Sequence, residues 1–93
     1  MKLPPIELLE SVHKFPGPYI FKIIAHNNEE TLNSIVRVIQ QTLHLTSSPP
    51  FSSRISEGGK HASLTVEVVL PKAQDVHSVY EALLKTQGVI LLL

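Results

Sequence analysis

The chain has 93 residues, 43% of them hydrophobic, with 8 basic residues balancing 8 acidic ones and no cysteine. That length allows one small domain, and its apolar share supplies a core, which excludes a disordered chain. The charge balance predicts no general attraction to nucleic acid or anionic membrane; the missing thiols exclude disulfides, thiolate metal sites and a cysteine nucleophile.

Residues 6–12, IELLESV, place Ile6, Leu9 and Val12 on one side of a short helix. KFPGPY breaks it, because Pro16 and Pro18 donate no backbone hydrogen bond and hold the chain extended. YIFKIIA, residues 19–25, is β-branched and aromatic and reads as a strand. Tyr19, Phe21, Ile23 and Ala25 share its core face, and Ile20, Lys22 and Ile24 share the other. In HNNEETLNSIVRVIQQTLHL, Asn27 or Asn28 can cap a helix whose positive end suits Glu29 and Glu30. Leu32, Ile35, Val36, Ile39 and Leu43 then recur at helical spacing until TSSPP turns the chain.

Phe51, Ser53 and Ile55 alternate with Ser52, Arg54 and Ser56 in a second strand. SEGGKH, residues 56–61, is a hairpin tip, where Gly58 and Gly59 supply positive φ angles. It is no phosphate loop, which needs GxxxxGK[ST] between a strand and a helix. In the third strand Leu64, Val66, Val68 and Leu70 alternate with Ser63, Thr65, Glu67 and Val69, and Pro71 ends it. A second amphipathic helix carries Val76, Val79, Tyr80 and Leu83, with Gly88 as its stop. VILLL, residues 89–93, is a last short strand.

The order strand, helix, strand, strand, helix, strand predicts an α+β fold of ferredoxin-like βαββαβ type. Two helices would cover one face of a four-stranded antiparallel sheet. We expect an N-terminal extension over residues 1–17 and one domain over 18–93. MKLPPIELLES has acids and prolines where a signal peptide needs an apolar run, and VILLL is too short to span a bilayer. The expectation is a soluble intracellular protein.

ELLESVHKFPGPYIFKII resembles the opening of the YbeD-like family of small bacterial proteins, with Phe15, Pro16, Phe21 and Lys22 in the family's Phe-Pro and aromatic-lysine places. SRISEGGKHAS is similar to that family's central hairpin, and VHSVYEALLKTQGV to its second helix. The chain departs from the pattern in three places: Ser11 to Lys14 look inserted, the hairpin is slightly longer, and His61 stands where an aromatic is frequent. The resemblance implies a ferredoxin-like fold, a cytoplasmic location and no established catalytic residues. It also implies a likeness in fold to the ACT domains that bind amino acids, hence a regulatory or sensing role.

No catalytic constellation accompanies these elements. His61 and Ser63 would share a strand face, but no nucleophile elbow or oxyanion motif goes with them, and both read as solvated hairpin residues. His13, His26, His44, His61 and His77 show no i, i+4 pairing or HExxH spacing, so no metal ligand is assigned. Tyr19 and Phe21 fall on the core face, which argues against an RNA-stacking sheet. An ACT-like ligand loop would be His26, Asn27 and Asn28, although the asparagines are more simply helix caps and the loop has no glycine.

The uncovered sheet face carries Ile20, Lys22, Ile24, Arg54, Glu67 and Val69, with Ile90 and Leu92 or their alternating neighbours. A Lys22–Glu67 ion pair, with Arg54 beyond Glu67, would sit at its centre. An ordinary solvated face is the plain alternative; a half-apolar one suits docking. The expectation is a non-enzymatic regulatory or protein-interaction module, without cofactor. It would contact a protein partner or a second copy through this face, or through an exposed edge. The alternative is an ACT-like sensor of an amino acid or other metabolite. Neither nucleic acid nor membrane is expected as a partner.

Overall fold

All the predicted elements form, and in the predicted order, in the computed structural model, which describes residues 3–93. Helix α1 (Ile6–Val12) leads into strand β1 (Gly17–His26) and helix α2 (Glu29–Thr42). Strands β2 (Phe51–Ile55) and β3 (His61–Leu70), helix α3 (Gln74–Leu84) and strand β4 (Val89–Leu92) follow. The strands make one antiparallel sheet in the order β2-β3-β1-β4. This is the ferredoxin-like βαββαβ arrangement with a helix added in front.

The core follows from strand alternation against helical periodicity. Tyr19, Phe21, Ile23 and Ala25 of β1 and Leu64, Val66, Val68 and Leu70 of β3 are buried on the same face. Ile35, Val36 and Ile39 of α2 and Val76, Val79, Tyr80 and Leu83 of α3 pack into the same core. Period 2 meets period 3.6 because only one face of the sheet is roofed. Helix α1 adds Leu9 to this core, and the His77 ring on α3 donates to the Pro4 carbonyl just before α1.

Three details depart from the sequence reading, and a fourth decides an alternative that it left open. First, β1 starts at Gly17, so Pro18 lies within a strand, opposite Val69. Alternating ladder geometry turns the Pro18 nitrogen away from β3, toward a flank that β4, paired only with residues 23–25, does not reach. The missing N–H therefore costs no ladder bond. Second, only Gly59 at the hairpin tip has positive φ, at 75°, and its N–H donates to the Ser56 carbonyl at 2.9 Å. Third, α3 ends at Leu84, so Gly88 turns the chain into β4 instead of stopping the helix. It does so at φ 92°, where a Cβ would come within 2.6 Å of the Thr31 side chain. Fourth, a bulge between Ile24 and Ala25 sets Leu92 inward, opposite Ile23, and Leu91 outward, opposite Ile24.

Strand β2 is an edge, and all five of its residues are exposed. Phe51 and Ile55 stand opposite Val66 and Ala62, on the helix side, yet remain about half exposed at 49% and 58%. The roof formed by α2 and α3 does not extend over this outermost strand.

Candidate functional site

The face without helices is built by the outward residues of β1, β3 and β4. The β1–β3 register sets Pro18 opposite Val69, Ile20 opposite Glu67, Lys22 opposite Thr65 and Ile24 opposite Ser63. Leu91 adds to it, and Leu93, whose N–H donates to the Lys22 carbonyl at 2.9 Å, continues the β4 ladder on the same side. Val69 is 69% exposed, Leu93 60%, Ile20 51% and Leu91 47%. One apolar group is therefore Pro18, Ile20 and Val69. A second is Ile24, Leu91 and Leu93, with Lys22, Thr65 and Glu67 between the two.

The register revises the expected charge row. Lys22 and Glu67 are diagonal neighbours, still within reach of long side chains, but not directly opposed. Arg54 pairs with Ser63, whereas Glu67 meets the Pro50 end of β2, its N–H donating to the Pro50 carbonyl at 3.4 Å. Arg54 thus lies four strand residues from Glu67, roughly 13 Å along β3. The offset originates in the hairpin tip, where the Ser56 N–H donates to the His61 carbonyl at 2.8 Å and so fixes how far β2 slides along β3.

At the hairpin end the fold brings His26 and His61 together. They are directly opposed, with ring centroids 6.0 Å apart and planes inclined by 35°. The His26 N–H donates outward to the Gly88 carbonyl on the β4 side, and the His61 carbonyl accepts from Ser56 on the β2 side. The next pair, Asn27 and Lys60, is the one that bonds across. The histidines therefore occupy a non-hydrogen-bonded pair, the kind whose side chains stand closest. Sequence reading singled out each residue but not their meeting. The available signal was that His26 ends the first strand and His61 opens the third, so the two meet once those strands pair antiparallel over their whole length.

The His26–Asn28 loop is braced on two sides. The Asn28 Oδ1 accepts from the Thr31 N–H at 3.0 Å as the N-cap of α2, and the Asn27 Nδ2 donates to the Gly59 carbonyl at 2.9 Å. A cleft of about 390 Å³ beside it is lined by His26, Asn28, Glu30, Thr31, Ser34, Gln87 and Gly88. Among the described residues no hydrogen bond joins His61 to Ser63. The two are neighbours along one strand face, about 6.8 Å apart, and both line a shallow groove of about 310 Å³ with Ile24, Arg54 and Ile55. Tyr19 and Phe21 are buried, so neither presents a ring to the open face.

The other polar feature lies inside. The Tyr80 hydroxyl is 3.4 Å from the Tyr19 hydroxyl and donates to the Leu93 carbonyl at 3.4 Å. Burial, then the hydrogen bond to Tyr19, pushes the Tyr80 phenol well above its ordinary range. Among the described residues, no group of three or more His, Cys, Asp or Glu side chains is placed to hold a metal ion. No helix there is long and apolar enough to cross a membrane.

Fold and face together define a small ferredoxin-like domain with an N-terminal helix, a half-apolar open sheet and a histidine pair at one corner. Residues 10–93 match the model of the family described as "Protein of unknown function (DUF493)", and the chain belongs to that family. It is similar to a UPF0250 protein of Paraburkholderia phytofirmans, 30% identical over 74 residues, covering 80% of this chain and 83% of the relative. It is also similar to UPF0250 proteins of Shewanella amazonensis (28% identical; 82% and 84% covered) and Shewanella woodyi (26%; 86% and 89%). The expected family resemblance is thereby established, together with the expected fold.

Proposed function

We propose that this protein is a non-catalytic interaction module of the cytoplasm, regulating a protein partner by docking on it through the open sheet face. The observation that carries this reading is the apolar content of that face. Ile20, Val69, Leu91 and Leu93 are each about half exposed or more, although β1 and β3 are packed on their opposite face. Scattered surface apolar residues are ordinary, but two apolar groups on paired strands, set on either side of Lys22, Thr65 and Glu67, combine apolar area to bury with charges that orient a partner. Ile20, Val69 and Leu91 project from paired strands, so most of the surface is rigid and loses little entropy on docking.

A paired substitution tests it. Ile20→Glu with Val69→Glu should leave the fold intact, since both side chains are solvent-facing. The doubly substituted protein should lose the partner that the wild type retains in affinity purification from native cytoplasm, or the self-association seen by light scattering. Unchanged partners and unchanged mass in both assays would sink the assignment. Sensing of an amino acid or metabolite at the His26–Asn28 loop ranks second. The cleft beside the loop favours it, but both asparagine side chains are already engaged in holding the loop.

A further inference from the structure

We propose that His26 and His61 together form a binding site for a divalent transition-metal ion of the zinc, copper or nickel type, a property distinct from docking, at the hairpin corner of the open face. The argument begins with geometry. A ligated imidazole nitrogen stands about 2.0–2.1 Å from zinc, which puts each ring centre ~3.2 Å from the metal. Two such centres on one ion are therefore ~5 Å apart at a tetrahedral angle and ~6 Å apart at a wide one. The rings of His26 and His61 are 6.0 Å apart, so a small side-chain rotation brings both onto one ion. Both rings are exposed and free to make it.

The backbone beneath them is already held. Hydrogen bonds join His26 to Gly88, His61 to Ser56 and Asn27 to Lys60, so the two Cα positions are preorganised by three separate segments of chain. Little ordering entropy remains to be lost on binding. Imidazole is a borderline donor that suits zinc, copper and nickel and suits calcium or magnesium poorly, which sets the class of ion. No third histidine, cysteine or carboxylate joins the pair in one cluster among the described residues, so the remaining positions fall to water or to an incoming ligand. That is the arrangement of an open site, unlike the closed four-ligand set of a structural zinc. Its charged surroundings are mixed: Glu30 of α2 lines the cleft with His26, Arg54 of β2 lines the groove with His61, and Lys60 precedes His61 in the hairpin.

Because the ion bridges β1 and β3, it binds the folded chain more tightly than the unfolded one, and it should raise the melting temperature as zinc is added. The test uses the full chain and zinc chloride alone. Calorimetric titration at pH 7.5 should find one zinc per chain. Either His26→Ala or His61→Ala should weaken it by at least the ~10-fold that losing even an outer-shell partner costs a metal site. His13→Ala and His44→Ala, outside the pair, should bind as the wild type does. On the unsubstituted protein, nitrogen-15 spectra should show the ring signals of His26 and His61 shifting together with zinc. No binding at millimolar zinc, equal affinity in the His26→Ala and His61→Ala proteins and the wild type, or one zinc shared between two chains would each overturn the site.

Discussion

His44 adopts a left-handed backbone, φ 55°, immediately after α2. It closes the helix in a complete Schellman turn: the His44 N–H donates to the Gln41 carbonyl at 3.2 Å and the Leu45 N–H to the Gln40 carbonyl at 2.9 Å. Histidine tolerates this conformation better than a β-branched residue, but glycine adopts it without steric cost. His44→Gly should therefore stabilise the protein by about 0.5–1 kcal/mol, read as a higher urea midpoint. A lower midpoint would mean that the His44 ring makes a contact worth more than the strain. Tyr80 provides a second residue-scale prediction. Its phenol is held well above the ordinary range by burial and by Tyr19. Above about pH 10 an unfolded tyrosine gives up its proton while the folded Tyr80 keeps its own, so the folded state binds more protons there. The contribution of Tyr80 to stability should be level up to about pH 10 and fall beyond it. Tyr80→Phe leaves the buried Tyr19 hydroxyl without its partner and should cost about 1–3 kcal/mol at neutral pH while flattening that alkaline decline, as followed by denaturation between pH 9 and 11.

At the scale of elements, α1 is the informative piece. Its seven residues are too few to be helical alone in water, so its order comes from packing. Leu9 is 4% exposed in the common core, and His77 holds the backbone at Pro4. Leu9→Ala should destabilise the whole protein by about 2–4 kcal/mol in a single cooperative transition. A separate early transition confined to the N-terminal segment would show instead that α1 folds as an appendage. Strand β2 is the opposite case. It is short and flanked by solvent, and with Ser52, Ser53 and Arg54 at its centre it resists casual edge-to-edge pairing.

At the scale of the molecule, the two helices decide which side of the sheet is core and which is open. The apolar groups around Ile20–Val69 and Ile24–Leu91–Leu93 are the largest consequence, and the paired glutamate substitution described above addresses them directly. The histidine pair lies at the hairpin corner of the same sheet, beyond Ile24 and Ser63. Its zinc titration is independent of that substitution, so the two proposals stand or fall separately.

The elements and their inward faces were legible in the sequence because periodicity is a local property. Tyr19, Phe21, Ile23 and Ala25 had to share a face once they formed a strand, and Ile35 and Ile39 had to share one once they formed a helix. Sliding one strand along another leaves each strand's own pattern unchanged, so register lay outside that reading. Only the assembled sheet placed Arg54 against Ser63 and away from Glu67, set Leu92 inward through a one-residue bulge, and left Phe51 and Ile55 beyond the helices. The same register set His61, separated from His26 by 35 residues of chain, directly across from it. The sequence alone determined that this is a ferredoxin-like domain with one open sheet face. The tertiary structure decided which side chains meet on that face, because pairing between strands is fixed by turns, bulges and packing acting together across the whole chain.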